Sequence, residues 1–345
     1  MGQNFKTAVI GYGFAGKCFH CYLVNITPGL ELYGVASSRA DARDQIRKDF
    51  GCYAYESFES VIEDPDIDLV VIATPHNTHC DLAVRALSAG KHVVTDKVMA
   101  LTLSECDRMI EAAHQNNRLL SVFQNRRWDG DFLTLRKLTR EGHLGHVSWL
   151  EMSWQQGFGP PRGWRGRRET GGGKLYDLGA HIIDQLTLFF PGRIEHVFCR
   201  MNYDHPDADV ESHAMVILGF SNGTTGICNT SSLARIKKPR IYACGDKATF
   251  VKYGVDPQES AMLQGDIDQA VEPPEQYGTL HDGAEEKKVE TVPGRWRNYY
   301  ENIADVLAGR SEPLVKLDEV RRQMAVLDAA VQSAHTGEAV KPALD

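Results

Sequence analysis

The chain has 345 residues, of which 42% are hydrophobic and 24% charged, with eight cysteines and a formal charge of −8. This composition is typical of an ordinary globular protein, and the length suggests two domains. The negative charge argues against nucleic acid and anionic membranes as partners, and no apolar run approaches the roughly 18 residues of a membrane span. Because the cysteines show no repeated spacing, we expect free thiols, no metal site and a cytoplasmic location.

The first strand-to-helix turn has a phosphate-binding pattern. Residues 7–10 read as a strand, Gly-x-Gly-x-x-Gly follows at once, and a helical pattern begins soon after. Gly11 permits the tight turn, Gly13 lets the backbone approach a pyrophosphate, and Gly16 lets helix and strand pack closely. In this context the pattern predicts a dinucleotide site, whose loop also contains Tyr12, Phe14 and Ala15.

The end of the second predicted strand, residues 30–36, indicates which dinucleotide is bound. An NAD site usually places a carboxylate there to hold the ribose 2′-hydroxyl. Here the strand ends in Ser37, Ser38 and Arg39, with Arg43 one helical turn later. Hydroxyls and a guanidinium suit a 2′-phosphate, because arginine binds oxyanions through charge-assisted hydrogen bonds. We therefore predict NADP over NAD; the alternative is that Arg39 is a solvated residue at a helix start.

Strands and helices alternate up to about residue 125. This alternation predicts a doubly wound parallel sheet, a Rossmann domain over residues 1–125, with ligands at the carboxyl ends of its strands. Two further strand ends have polar residues, which we expect near the cofactor: Thr74, Pro75, Asn77, His79, Asp96 and Lys97. Lys97 would also donate a hydrogen bond to a substrate oxygen, whereas His79 alternatively caps the next helix.

After residue 125 the pattern changes to longer strands of alternating polarity, between about 146 and 253. Such strands predict a large, open, mostly antiparallel sheet with helices on one face and the other face free to meet a partner subunit. Residues 256–296 are predicted to form loops, and two helices close the chain. The second domain is thus predicted over residues 126–345, with the last helix packing back on the first domain.

One stretch of the second domain combines glycines with titratable residues. Gly171-Gly172-Gly173 reads as a flexible hinge before a helix that contains Asp177, His181 and Asp184. A helix places these three residues along one stripe, although a solvated helix face is the simpler explanation of such spacing. Residues near this stretch or after the last Rossmann strand are further candidates for contact with cofactor or substrate, unless they lie in solvated loops: Trp164, Arg165, Asn125 and Arg127.

These segments together resemble the Gfo/Idh/MocA family of nicotinamide-dependent oxidoreductases. The resemblance extends over essentially the whole chain and rests on Gly11 to Gly16, Ala73-Thr74-Pro75 with His79, Gly90-Lys91-His92-Val93 leading to Asp96-Lys97, and the glycine run with Asp177, His181 and Asp184. The family's Glu-Lys-Pro is here Asp96-Lys97-Val98, a departure at two of three positions. The resemblance implies a Rossmann domain, then an α/β domain whose open sheet commonly forms the interface of an oligomer, here a homodimer or homotetramer.

The resemblance also implies hydride transfer between NADP and a cyclic polyol or sugar. Residues 124–132 and 254–259 resemble the subgroup of NADP-dependent scyllo-inositol dehydrogenases, which makes scyllo-inositol and its inosose the first expectation. His181 would exchange the hydroxyl proton, Lys97 would bind the reacting oxygen, and Asp177 would orient substrate hydroxyls or join the proton relay. Asn125 and Arg127 would contact substrate, and Asp184 would give structural support or lie on the helix surface.

Three alternatives remain at this point. Within the same family, the chain would be an aldose or anhydro-sugar reductase. A non-catalytic NADP-binding regulator would need the glycine loop without Lys97, Asp177 and His181. A structural metal site at the His and Asp residues is a third reading, but it offers a thin ligand set.

Overall fold

The computed structural model describes residues 4–344, which divide into two compact units. The first unit comprises the chain up to Gln124 together with Trp296–Val320, and the second comprises Asn125–Arg295 together with the residues from Arg321 onward.

The first unit is built on a six-stranded parallel sheet, within the described residues, in the order β3-β2-β1-β4-β5-β6. Its strands are β1 (Phe5–Ile10), β2 (Leu30–Ala36), β3 (Tyr53–Tyr55), β4 (Leu69–Ile72), β5 (His92–Thr95) and β6 (Leu120–Val122). All four residues of β4 are fully buried, as expected of a parallel strand covered on both faces. The predicted Rossmann sheet is confirmed.

Helices connect these strands. They are α1 (Tyr22–Ile26), α2 (Ala40–Phe50), α3 (Phe58–Ile62), α4 (His79–Ser88) and α5 (Leu103–Asn116). The start of α5 shows why the chain turns helical there: the Glu105 N–H donates to Thr102 Oγ1 at 3.2 Å, and the Glu105 carboxylate accepts the Thr102 N–H. This capping box satisfies two donors that the first helical turn leaves open.

The second unit contains an eight-stranded sheet in the order β14-β13-β12-β11-β7-β10-β9-β8. Its strands are β7 (Val147–Gln155), β8 (Ile194–Asn202), β9 (His213–Phe220), β10 (Thr225–Ser231), β11 (Ile241–Gly245), β12 (Thr249–Lys252), β13 (Gly278–His281) and β14 (Glu286–Val289). Only β7 and β10 pair in parallel, so among the described residues the sheet is mostly antiparallel, as predicted. Burial alternates along β9, which identifies one core-facing side.

The remaining helices are α6 (Gly130–Arg140), α7 (Ala180–Phe189), α8 (Gln258–Leu263), α9 (Arg297–Leu307) and α10 (Leu317–Thr336). The prediction of loops over residues 256–296 was wrong in part, because α8 and the β13–β14 hairpin lie there and the hairpin extends the sheet. From Arg321 onward α10 groups with the second unit, whereas the sequence led us to expect this helix on the first domain. Its Gln323 donates to the carbonyl oxygen of Ala180 at the start of α7.

A buried ion pair anchors α7 to the turn that precedes α6. Arg127 donates from Nε to Oδ2 of Asp184 at 2.8 Å and from Nη2 to Oδ1 at 2.7 Å. The two side chains are 4% and 2% exposed. This two-pronged geometry is the strongest form of an arginine–carboxylate contact, so Asp184 has a structural place and does not lie on a solvated helix surface.

Removing one partner of this pair should destabilise the protein strongly. In Asp184→Asn the Arg127 guanidinium is left buried without its counter-ion, and we expect a loss of about 3–5 kcal/mol in the free energy of unfolding, measured by urea denaturation. Replacing both partners, as in Arg127→Met with Asp184→Leu, should recover part of that loss because no buried charge remains.

The exposed pair of Arg47 and Asp44 on α2 supplies the matched control. Arg47→Met should change the free energy of unfolding by less than about 1 kcal/mol, as is usual for surface ion pairs. Equal effects of Asp184→Asn and Arg47→Met would contradict the anchoring role.

Candidate active site

The glycine loop after β1 has the backbone that a phosphate site requires. Gly11 has φ of +101°, and a Cβ there would lie 2.5 Å from the carbonyl oxygen of Ala73. A Cβ on Gly16 would collide with the carbonyl oxygen of Gly11, whereas a Cβ on Gly13 would meet nothing within 4 Å. Packing therefore demands the first and third glycines, and the second leaves open space beside the backbone.

The helix after this loop begins as a π-helix, Ala15–Cys21, and continues as α1. Tyr12 donates from Oη to Asp49 at 2.6 Å, and Nζ of Lys17 lies 2.6 Å from the same carboxylate. Hydrogen bonds from Lys17 and Tyr12 lower the pKa of Asp49 to about 2. The side chain of Phe14 is half exposed. The loop is thus tied to α2 through Asp49.

The predicted 2′-phosphate residues follow β2 at the surface. The Arg39 side chain is 62% exposed, and its only ion pair among the described residues is with exposed Asp41 at 3.3 Å, a contact of little strength in water. Arg43 instead donates to the carbonyl oxygens of Ser37 and Ser38, each at 3.0 Å. Arg43 therefore shapes the loop, while Arg39 remains accessible to an anion.

His79 connects the loops after β4 and β5. It is fully buried, with Nδ1 2.8 Å from the carbonyl oxygen of Val98 and Nε2 3.0 Å from that of Thr74. Burial lowers the pKa of His79. With its pKa lowered, the imidazole has one N–H, so His79 donates to one of these two carbonyl oxygens, and its contact with the cofactor stays a prediction. Its neighbours on the first of these loops, Pro75 and Asn77, are half-buried and exposed.

Asp96 and Lys97 directly follow β5. Asp96 accepts the Lys97 N–H at 2.8 Å, and the peptide bond from Lys97 to Val98 is cis. Nε2 of buried His20 lies 3.8 Å from Oδ2 of Asp96, and Nδ1 of His20 lies 2.7 Å from the hydroxyl of Tyr300. Burial raises the pKa of Asp96, but His20 outweighs it and the net pKa lies below the usual range. An ionised carboxylate therefore stands beside Lys97.

The three glycines before α7 are required by packing. Gly171 and Gly173 have φ of +75° and +95°, a region that favours glycine. A Cβ on Gly172 would collide with the carbonyl oxygen of Arg165, and one on Gly173 would collide with the carboxylate of Glu211. The sequence suggested a flexible hinge, but these contacts show a tightly packed turn.

Glu211 holds the start of the helix that follows. Its Oε1 accepts the N–H of Leu175 at 2.7 Å, and the side chain is buried. Burial raises the pKa of Glu211, and the N–H groups of Leu175 and Lys174 oppose that rise. A carboxylate at this position satisfies donors that a helix start leaves open and matches the positive end of the helix dipole. No sequence pattern pointed to Glu211.

Asp177 and His181 lie on two different kinds of helix. Asp177 belongs to a π-helical segment, Leu175–Gly179, and His181 to the first turn of α7. Nζ of Lys174 lies 2.8 Å from Oδ2 of Asp177, and Nε of Arg165 lies 3.7 Å from Oδ1. π-Helical turns occur frequently at functional sites, and the carboxylate on this one has two cations nearby, Lys174 and Arg165.

His181 is 7% exposed and packs on an aromatic ring. Its imidazole centroid lies 6.0 Å from that of Trp154, with the planes 31° apart. The guanidinium of Arg126 lies 4.6 Å from the same indole, and that of Arg240 lies 4.9 Å from it. The Trp154 indole thus lies close to the imidazole and to two guanidinium groups. The sequence did not single out Trp154.

A cavity of about 220 Å³ adjoins this segment within the second unit. It is lined by Phe158, Gly159, Pro160, Pro161, Arg162, Arg165, Gly173, Lys174, Asp177 and Ser232. The Arg165 guanidinium also lies 4.3 Å from the Trp164 ring. The structure therefore groups Arg165 and Asp177, two residues that the sequence singled out, with Lys174, which it did not.

Two other candidates from the sequence are buried. Asn125 is 2% exposed, and Arg127 uses Nε and Nη2 to hold Asp184. Arg127 thus has a structural contact with Asp184, and its contact with substrate stays a prediction. In the first unit, by contrast, the glycine loop, the Ser37–Arg39 turn and the polar residues after β4 and β5 all follow strands at the same edge of the parallel sheet, where such folds bind ligands.

Two searches of the described residues give further findings. Within residues 4–344, no group of three or more His, Cys, Asp or Glu side chains is arranged to hold a metal ion. In the same part of the chain, no helix has the length and apolar character needed to cross a membrane.

Both units match established protein families. Residues 5–124 match the Gfo/Idh/MocA oxidoreductase family, described as having an NAD-binding Rossmann fold, and residues 132–251 match the Gfo/Idh/MocA C-terminal domain. The two matches together extend over more than half of the chain.

Individual relatives match over nearly the full length. The chain is 36% identical to the uncharacterized oxidoreductase YdgJ of Escherichia coli K12, covering 97% of each sequence. It is 32% identical to the NADP(+)-dependent scyllo-inositol 2-dehydrogenase IolW of Bacillus subtilis 168, covering 96% of this chain and 94% of IolW. A crystal structure of a putative oxidoreductase from Klebsiella pneumoniae superposes with a TM-score of 0.89 at 34% identity, covering 100% of this chain and 96% of that one.

These findings confirm the family and the class of enzyme that the sequence predicted. The protein is a nicotinamide-dependent dehydrogenase or reductase that acts on CH–OH groups. The chain belongs to the Gfo/Idh/MocA family of oxidoreductases.

Proposed function

We propose that the protein transfers a hydride between NADP and a cyclic polyol or sugar, with scyllo-inositol and its inosose as the first substrates to test. The observation that supports this most is the cavity-lining carboxylate of Asp177, flanked by Lys174 and Arg165 and placed one helical turn before His181. Such a group accepts hydrogen bonds from hydroxyls. The similarity to IolW adds support for the polyol and for NADP.

The first unit fits a dinucleotide with a 2′-phosphate. Gly13 leaves open space beside the backbone where a pyrophosphate approaches in this motif, and the following helix offers N–H groups to phosphate oxygens. Ser37, Ser38 and accessible Arg39 would hold the 2′-phosphate. NADP supplies the hydride acceptor in oxidation, and its reduced form supplies the donor in reduction.

Side chains of the protein then transfer the hydroxyl proton and stabilise the charge on the reacting oxygen. In oxidation His181 receives the proton of the reacting hydroxyl, a role that suits imidazole because it exchanges protons near neutral pH. Lys97 donates a hydrogen bond to the same oxygen and stabilises the negative charge that develops on it. Asp177 accepts hydrogen bonds from substrate hydroxyls. A homodimer or homotetramer and a cytoplasmic location remain predictions.

The direct test of this proposal follows NADPH absorbance with a panel of candidate substrates. Inositol isomers and their ketones test the preferred class, and aldoses and anhydro-sugars test the reductase alternative. We expect turnover of at least one cyclic polyol or its ketone. NADP binding without turnover of any compound in the panel would instead favour a regulator.

Replacement of His181 tests the proton transfer. His181→Ala should lower kcat by roughly 10²-fold or more, because general acid–base catalysis contributes about that factor. NADPH binding, measured by fluorescence titration, should be unchanged. The control is His143→Ala, an exposed histidine of the same unit, which should keep full activity. Near-normal turnover in His181→Ala would refute the assignment.

Replacement of Arg39 tests the cofactor preference. Arg39→Ala should weaken NADP binding by roughly 10-fold or more, because a charge-assisted hydrogen bond contributes about 1.5–3 kcal/mol, and should barely affect NAD. Arg47→Ala, on the exposed side of α2, is the matched control. Calorimetric dissociation constants for both cofactors distinguish the outcomes, and an equal loss for NADP and NAD would argue against a 2′-phosphate contact.

A further inference from the structure

Lys174 is a buried lysine beside Asp177 for which neither the sequence nor the mechanism above provides a role. It is only 7% exposed, although lysine is rarely buried without a partner. Its Nζ donates to Oδ2 of Asp177 at 2.8 Å and to Oε1 of Gln156 at 3.2 Å. Lys174 and Asp177 both line the 220 Å³ cavity.

The ammonium group of Lys174 has a donor to spare. It carries three N–H bonds, and the described residues supply two acceptors, Asp177 and Gln156. A molecule in the cavity that offers an oxygen would complete the set. Because Nζ and Oδ2 are 2.8 Å apart, the cavity presents a donor and an acceptor side by side.

The charges of Lys174 and Asp177 are paired with each other within the cavity lining. Lys174 is balanced by Asp177, and the buried carboxylate of Glu211 already occupies the N–H groups at the helix start. A neutral diol can hydrogen-bond to this pair without adding a charge. Two arginines also line the cavity, but Arg165 lies 3.7 Å from Asp177, and Arg162 is exposed to water, which weakens its field.

We propose that Lys174 and Asp177 together recognise two adjacent hydroxyl groups of the substrate, which makes Lys174 a specificity-determining residue for vicinal diols. One hydroxyl donates to the carboxylate of Asp177, and its neighbour accepts from the ammonium of Lys174. An occupant without such a pair leaves buried polar groups unsatisfied, a cost that a neutral diol avoids. This inference rests on the proposed function, since it names the substrate class of that same site.

The backbone around Lys174 is built to keep the pair in place. The N–H of Leu175 is held by Glu211, and the backbone at Gly173 has the positive φ that brings the chain close to that carboxylate. Lys174 directly precedes the π-helical segment and lies three residues before Asp177, so their side chains meet without a long-range constraint. The arrangement positions the donor and the acceptor before substrate arrives.

The test combines a lysine variant with substrates that lack single hydroxyls. Lys174→Met keeps the length of the side chain and removes the charge, while Lys174→Arg keeps the charge. The probes are scyllo-inositol and D-glucose with their monodeoxy analogues, and kcat/KM is measured for each enzyme and probe. The control is Lys137→Met, an exposed lysine on α6.

With the wild-type enzyme, we expect kcat/KM for at least one monodeoxy analogue to be on the order of 10- to 100-fold lower than for the parent compound. This factor corresponds to the loss of one hydrogen bond to a charged group. The Lys174→Met enzyme should lose a similar factor in kcat/KM with the parent compound. Its kcat/KM for that analogue should then equal its kcat/KM for the parent. Lys174→Arg should recover part of the loss, mainly through KM, and Lys137→Met should match the wild type.

Three results would overturn the inference. In the first, Lys174→Met lowers kcat/KM equally for the parent and every analogue, which indicates a merely structural lysine. In the second, the wild type does not discriminate against any monodeoxy analogue, a result that needs no variant to fold. In the third, D-glucuronate is turned over faster than D-glucose and Lys174→Met abolishes that preference, which assigns the lysine to a carboxylate.

Failure of the proposed function has a separate signature. If the wild type binds NADPH but turns over neither probe nor any other polyol or sugar, the function and the inference fall together. If turnover is normal and only the discrimination among analogues is absent, the function stands and the role of Lys174 does not. Lys174→Gln replaces Lys174→Met in the same series should the methionine variant not fold.

Discussion

The second unit depends on one carboxylate, Glu211, placed against the start of the helix that bears Asp177 and His181. Its oxygen accepts the N–H of Leu175, and only glycine at position 173 allows the chain to pass so close to it. One turn beyond His181, Asp184 is held by Arg127 in a buried pair. The segment is therefore fixed on both sides of the two candidate residues, which limits the conformations that either can adopt.

The first unit achieves a similar rigidity with backbone contacts. His79 lies between the loops after β4 and β5 and donates to one of the two carbonyl oxygens that face its ring nitrogens, and His20 lies between Asp96 and Tyr300. Loops at the carboxyl edge of a parallel sheet carry the ligand contacts in this fold, so buried side chains that tie them together set the geometry of the site. Each of these histidines can therefore influence the geometry of the site without contacting a ligand.

The pairing of Lys174 with Asp177 connects the structure to the choice of substrate. A buried ion pair is expensive to desolvate, and the proposed recognition of a polar ligand gives this one a purpose. Under our proposal, discrimination among polyols comes from side chains around the cavity. Lys174 lines this cavity, three residues before Asp177.

The sequence by itself determined the parts of this protein that depend on local pattern. The glycine loop, the alternation of strands and helices, the open sheet and the candidates Lys97, Asp177 and His181 were all readable, because turn chemistry and hydrophobic periodicity act over a few residues. The cofactor preference inferred from Ser37 to Arg39 rests on the same kind of local evidence.

Only the tertiary structure shows which residues fix the segments around Lys97, Asp177 and His181. The contacting residues are far apart in sequence. Glu211 and Leu175 are separated by 36 positions, Arg127 and Asp184 by 57, and His20 and Tyr300 by 280. No short-range pattern encodes such contacts, since each partner looks like an ordinary polar or aromatic residue where it stands. The buried partners of His79 and Arg127 were not readable from the sequence for the same reason, since the fold brings them together.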